Sequence, residues 1–351
     1  MVIAAVLALA GCDDGPTDPG DLEPVERPDL VRGVYVSAFA AGDPVRLQDL
    51  LDLAAESELN TFVVDVKEFG EVSYASTVPL AAEVGATRGY IPDLAAFMRG
   101  LREAGIYPIA RIVCFRDPVL AQGRPEFAIR TQGGEAWIDE ETQRPWVDPY
   151  NEAVWAYNID LAREALDAGF AEIQWDYVRF PDVRTDASGA ALVFPAAGGR
   201  TPLEAIAQFV EYSRTELASY GAPITADVFG RVVTTPPDDV IGQGFEDLVQ
   251  RTDVLLPMVY PSLYWEGSLG VADPPREPYA IVRASLDSAV VRLARTSSAT
   301  ATLRPWLQAF SQDGVDYGRA EILEQIRAAE DAGLPEWLFW NPISSYPRGV
   351  F

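Results

Sequence analysis

The sequence predicts an α/β protein folded as one TIM-type (β/α)8 barrel with long βα loops and a reduced last helix. Three observations carry that expectation. Eight apolar runs of strand length alternate with amphipathic runs of helix length, the pattern that builds βαβ units and a parallel sheet. Eight is the number that closes a barrel, whereas doubly wound open sheets commonly stop near six. Neither GxGxxG nor GxxxxGK(S/T) follows the first run, so the phosphate loop typical of the open-sheet alternative is missing.

The strand-like runs are LVRGVYVSAF (30–39), TFVVDVKEF (61–69), YPIARIVCF (107–115), AEIQWDYVRF (171–180), ITADVFG (224–230), DVLLPMVY (253–260), PWLQAF (305–310) and EWLFWN (336–341). Helical patterns lie between them, among them VRLQDLLDLAAES, IPDLAAFMRGLREAG and NEAVWAYNIDLAREALDAG. Gly105, Gly169 and Gly333 each stand where a helix closes in the left-handed conformation just before the next strand. Asp148-Pro149 reads as a helix start, an N-cap followed by Pro at the first helical position. The connections after strands three, four and six are long, and barrels keep their sites in such loops on the carboxyl side of the strands.

Composition narrows the chemistry. The 351 residues are 48% hydrophobic and 23% charged, with a net charge of −26. That balance suits a well-solvated globular surface and argues against nucleic acid, which is bound through clustered Lys and Arg. There is no histidine. Ser-His-Asp and Cys-His catalysis and HExxH zinc sites are therefore excluded, which leaves carboxylates, Tyr, Lys and Arg for acid–base work. Of the 27 Lys and Arg residues a single one, Lys67, is lysine; either it stands where a compact ammonium is needed, or it is a chance survivor of a composition that favours Arg.

Residues 1–12 read as a lipoprotein-type signal, an apolar run ending in Leu9-Ala10-Gly11-Cys12 but without a basic leader. Lipidation of Cys12 would anchor the protein to a membrane in the cell envelope; a plain secretory signal is the alternative. Residues 13–29, rich in Pro, Asp, Glu and Gly, read as a flexible linker. The barrel domain is assigned to residues 30–351. Cys114 reads as a small buried hydrophobe at a strand end.

Alternate residues of a strand share a face, so parity groups the polar residues. Asp65 falls with Lys67, Gln174 with Asp176, Thr225 with Asp227, and Met258 with Tyr260, while Arg111 lies near the end of strand three. Each polar group sits at the carboxyl end of its strand, as it would at a barrel mouth. Asp176 and Asp227 on adjacent strands have backbones ~4.8 Å apart, which suits the carboxyl spacing of a retaining glycosidase; the alternative is that each pairs with Arg111 or Arg179 and only holds the rim together. Aromatic residues gather at the same ends: Tyr260, Tyr264, Trp265, Trp306 and Trp340 can stack on sugar rings, while Trp175 and Tyr177 are expected to face the covering helices. Gln308, like the acids and arginines, can bond hydroxyl groups.

The motifs VDVKE, ARIVCFRDP, WVDP, FAEIQWDYVRFP, TADVFG, PMVYPSLYW and PWLQAF run in order over residues 30 to 345. Together they resemble a bacterial family of glycosyl hydrolase domains, TIM barrels of unassigned substrate and distant kin of the α-amylase superfamily. In that superfamily the nucleophile ends strand four and the acid/base ends strand five. The resemblance therefore implies Asp176 as nucleophile and Asp227 as acid/base. Strand five of α-amylase-like enzymes ends in Glu where this chain has the shorter Asp227, and Asp65 and Glu68 remain alternatives for that role.

The expected function is a glycoside hydrolase acting on an envelope or extracellular polysaccharide through a carboxylate pair, with no metal and no organic cofactor. Lys67, Arg111 and Arg179 are expected beside the nucleophile, positioning hydroxyls or acidic substituents. The alternatives are a non-catalytic carbohydrate-binding barrel and, last, a lyase using Tyr260 and Lys67 on uronic acids.

Overall fold

The computed structural model of the protein describes residues 25–351. Cys12, the signal segment and residues 13–24 of the expected linker lie outside the described residues. Eight parallel strands form the sheet: β1 Arg32–Val36, β2 Thr61–Glu68, β3 Tyr107–Val113, β4 Glu172–Asp176, β5 Ile224–Phe229, β6 Val254–Met258, β7 Trp306–Gln308 and β8 Trp337–Trp340. Consecutive strands are neighbours, and β1 pairs with both β2 and β8, so the sheet closes into the expected barrel. Closure brings backbones together at Gly33, which is level with Thr61 and Leu338. A Cβ there would lie 2.6 Å from the Thr61 carbonyl oxygen, so only glycine lets the seam shut without displacement.

Seven helices, the last in each connection between successive strands, wrap the barrel: α1 Pro44–Ala55, α2 Leu94–Glu103, α3 Glu152–Asp167, α4 Pro202–Leu217, α5 Phe245–Leu248, α6 Pro278–Arg295 and α7 Arg319–Asp331; short helices at Ala38–Gly42, Pro79–Glu83 and Pro118–Gly123 precede the first three. Among the described residues no helix follows β8. Gly105, Gly169 and Gly333 take the expected left-handed conformation, with φ of 69°, 104° and 81°. The start of α3 differs from expectation. Its cap is Asn151, which accepts a 2.9 Å bond from the Ala153 amide, and Asp148 lies outside the helix. The Asp148 carboxyl accepts instead from the Tyr150 and Ala196 amides and ties two long loops together.

Alternation along the strands produces two separate apolar cores. One, containing Val34, Phe62, Ala110, Trp175 and Phe339, fills the space between strands and helices. The other, containing Val63, Ile109, Leu256 and Leu338, fills the barrel interior. Val25, just ahead of the barrel, packs against the interior core. Cys114 is free and buried. At the amino end of the strands, Glu172 and Arg304 form a 2.7 Å ion pair with both side chains fully buried. Arg304 also reaches Glu336, and the pair plugs the bottom of the barrel.

Removing one partner of such a pair leaves a buried charge without compensation. Arg304→Leu should lower the free energy of unfolding by about 3–5 kcal/mol in denaturant titrations, and adding Glu172→Leu should recover much of that loss. A single variant as stable as the wild type would contradict the role of the plug.

Candidate active site

At the opposite end the barrel opens into a cleft of about 720 Å³, to which every strand or strand end contributes a side chain. In strand order these are Tyr35, Asp65, Arg111, Asp176, Asp227, Met258, Trp306 and Trp340. β4 turns Glu172, Gln174 and Asp176 toward the interior, so one strand runs from the buried plug to the open mouth.

Arg111 organises the acids. Its Nε and Nη2 donate to Asp176 Oδ2 at 2.9 and 2.6 Å, and Nη1 donates to Asp65 Oδ1 at 2.5 Å and also to Glu68 Oε2. Burial works against this cation, but Glu68, Asp176 and Asp65 outweigh it and hold the guanidinium well above its ordinary range. The other oxygen of Asp176 accepts the Tyr177 amide at 2.6 Å. Asp65 also accepts the Tyr35 hydroxyl at 2.5 Å. Burial nevertheless pushes the Asp65 carboxyl up to about 7, with Arg111 pulling the other way.

Asp227 has a different environment. Gln174 is level with Thr225 and Trp175 with Ala226, so the next residues up, Asp176 and Asp227, stand side by side. No cation touches Asp227 among the described residues; its one side-chain partner is Trp306, whose indole N–H donates to Oδ1 at 2.8 Å. Burial, and then the charge of Asp176, push this carboxyl well above its ordinary range. Tyr260 lines the same wall, and burial with the two acids keeps its phenol protonated.

Trp340 stacks on Tyr35 with ring centres 3.9 Å apart and meets Trp306 edge-on. Arg111 lies over the Trp340 ring. Phe39, Leu263 and Ile343 are exposed at the rim, which leaves apolar surface where a chain of sugar rings could rest.

Four residues expected at the mouth do not line the cleft: Lys67, Gln308 and the aromatics Tyr264 and Trp265. Trp265 is exposed to solvent outside it, and the Tyr264 hydroxyl accepts from Ser285 under α6. The pairing of β2 with β3 slips between Asp65 and Lys67, and this bulge turns Lys67 outward. Its ammonium is buried under α3, 2.8 Å from both Asp117 and Asn158 and over the Tyr157 ring. Lys67 is therefore a packing cation of the outer layer, which also removes the lysine that the lyase alternative needed. The same bulge brings Glu68 into the mouth. Gln308 is fully buried, its amide spent on Ser262, Phe310 and the Ser262 backbone.

Arg179 does line the cleft, but without an ion pair to Asp176. Tyr177, expected to face the helices, also lines it, because its left-handed φ of 47° swings the ring round the end of β4; Trp175 packs outward on Phe209 as expected. Sequence reasoning passed over Tyr35, Phe69, Arg116 and Phe229. Of these, Phe69 directly follows β2 and Arg116 lies three residues beyond β3, and that position was the signal available.

Fold and acid-lined aromatic mouth together define a barrel of the glycoside hydrolase class. Residues 33–346 match the family described as Putative glycosyl hydrolase domain, and the chain belongs to that family. No curated protein matches the sequence. Among solved structures, a hypothetical protein from Ruminiclostridium thermocellum ATCC 27405 is 36% identical, over 56% of this chain and 97% of that one, with a TM-score of 0.51. The PgaB (BpsB) glycoside hydrolase domain from Bordetella bronchiseptica is 13% identical over 90% of this chain and 95% of that one, with a TM-score of 0.64. TtGalA, an α-galactosidase from Thermus thermophilus, is 16% identical over 92% of this chain and 60% of that one, with a TM-score of 0.53. The last two share the fold with this chain.

A carboxyl whose proton is held in the folded state stabilises that state most at low pH, and the benefit is lost as pH rises toward the folded value. The stability advantage of wild type over Asp65→Asn should therefore shrink between about pH 4, where an unfolded Asp ionises, and the folded value of about 7. Thermal melts of the two proteins across that range check this; a pH-independent difference, or one that grows, would contradict it.

Proposed function

We propose that the protein hydrolyses glycosidic bonds of a polysaccharide with retention of configuration, through Asp176 and Asp227. The observation that carries this reading is the unlike environment of two neighbouring acids. Asp176 rests on a buried guanidinium and a backbone N–H, while Asp227 has no cation and is driven toward its protonated form. Pairs of acids pushed apart in this way divide the work of nucleophile and acid.

In this mechanism an Asp176 oxygen attacks the anomeric carbon while Asp227 gives its proton to the departing glycosidic oxygen. The ester formed on Asp176 is then cleaved by water, whose proton returns to Asp227. Arg111 offsets the charge of Asp176 at both ends of the cycle. The adjacent-strand spacing favours the retaining course, since an inverting pair must leave room for water between its carboxyls. Glu68 is a second choice for the acid/base, favoured by its openness: its side chain is 27% exposed against 2% for Asp65.

Reducing-end release from a polysaccharide panel tests the assignment. Asp176→Asn should remove nearly all hydrolysis, and Asp227→Asn should cost about 10²–10⁴-fold while leaving the melting curve cooperative. In the wild type, activity should fall on the alkaline side as Asp227 loses its proton. Full activity in Asp227→Asn together with loss in Glu68→Gln would transfer the acid role to Glu68. Full activity in Asp176→Asn would overturn the reading.

A further inference from the structure

One wall of the cleft carries positive charge that the hydrolytic pair does not use. Arg116, Arg144 and Arg179 all line it. The chain has 53 acidic residues and a net charge of −26, yet among the described residues none of these three guanidiniums has a carboxylate within 4.0 Å. They are held by aromatic faces. The Arg116 guanidinium carbon lies 4.4 Å from the Phe69 ring centre and 4.7 Å from that of Tyr177. Arg179 lies 4.9 Å from the Tyr177 ring, on which Arg116 also rests, and 4.5 Å from that of Phe229. Arg144 approaches Phe69 as well. Rings and cations thus share one wall, and a ring holds a cation without neutralising it.

Further observations make this wall a site. Arg179 is only 8% exposed, and its one hydrogen bond runs from Nη1 to the Phe180 carbonyl at 3.0 Å, so most of a five-donor fork is unspent. Burial of Arg179 lowers its hold on the proton, against the pull of Tyr177, Asp182 and Asp176. Arg116 donates to the Tyr177 hydroxyl, but its Nε is buried without a partner. The rings of Phe69 and Tyr177 are carried by backbones at φ of 48° and 47°, a conformation that bulky residues rarely adopt and that clusters at functional sites. The acids of the cleft do not satisfy the wall: Asp65, Glu68 and Asp176 converge on Arg111, Glu71 pairs with Arg88, and Asp227 accepts from Trp306.

We infer that this wall is an anion subsite, at which Arg179 and Arg116, with Arg144 at the rim, receive a carboxylate, sulfate or phosphate group carried by a sugar of the substrate. The inference rests on the glycoside hydrolase reading and deepens it: the substrate is an acidic glycan. The overall negative charge does not forbid this. Screening confines charge effects to about 8 Å at physiological salt, so cations in contact with the anion outweigh distant surface acids.

The test is equilibrium binding by titration calorimetry of the full chain with uronic, sulfated and phosphorylated oligosaccharides. Each is paired with its carboxyl-reduced, desulfated or dephosphorylated counterpart, and hydrolysis is followed separately. At least one acidic form should bind about tenfold tighter than its neutral counterpart, and which one does so identifies the anion. That preference should weaken with added salt, largely disappear in Arg179→Gln and in Arg116→Gln, and be partly kept by Arg179→Lys. Should Arg179→Gln fail to fold, the half-buried Arg116 carries the test. Equal binding of every acidic and neutral pair, or a preference that survives in cooperatively melting Gln variants, would overturn the subsite. Acidic preference without hydrolysis of any glycan would keep the subsite and sink the hydrolase reading; hydrolysis of neutral glycans without acidic preference would do the reverse.

Discussion

A buried guanidinium cannot stand alone, and the mouth of this barrel is arranged around that constraint. Arg111 is 2% exposed and meets Asp65, Glu68 and Asp176, so its charge is compensated by acids from β2 and β4, the strands on either side. Such an assembly costs desolvation, and replacing it with apolar side chains could leave the fold as stable or more so. Its value lies in placement. It fixes Asp176 at the end of β4 with one oxygen on a cation and the other on a backbone amide, and it leaves Asp227, one strand over, without a cation.

The interior is layered along this axis. Glu172 and Arg304 seal the amino end, apolar side chains such as Ile109 and Leu256 fill the middle, and acids, arginines and rings occupy the carboxyl end. Within the mouth, charge is divided again. Acids gather on Arg111, while the arginines beyond the ends of β3 and β4 lean on aromatic rings. An acidic protein can in this way present a locally cationic wall, because the cations that could have been neutralised are held by groups that carry no charge.

Much of this was legible in the sequence. Eight alternating runs, the closing glycines and the parity of Gln174 with Asp176 and of Thr225 with Asp227 all follow from strict periodicity, and the barrel obeys them. The misses occur where periodicity breaks. A bulge in β2 sends Lys67 outward and Glu68 inward, and no local signal in VDVKEF marks it. Tyr177 reaches the cleft through a left-handed backbone that a bulky residue seldom takes. Gln308 is consumed by the Phe310 carbonyl and by Ser262, the latter distant in the sequence. Asp148 looks like a helix cap but is used to join two loops, and only the tertiary fold shows which backbone amides it meets. The cationic wall was invisible for a similar reason, since Phe69, Arg116, Tyr177 and Phe229 come together from four strand ends.

The central claim is that Asp176 is the nucleophile of a retaining pair. Its most direct test is peptide mass spectrometry after incubation with a 2-deoxy-2-fluoro glycoside of the sugar the protein cleaves, which slows release of a covalent intermediate. The account predicts one glycosyl adduct, on the peptide that contains Asp176. Turnover that leaves no adduct, or an adduct on Asp227 or Glu68, would contradict it.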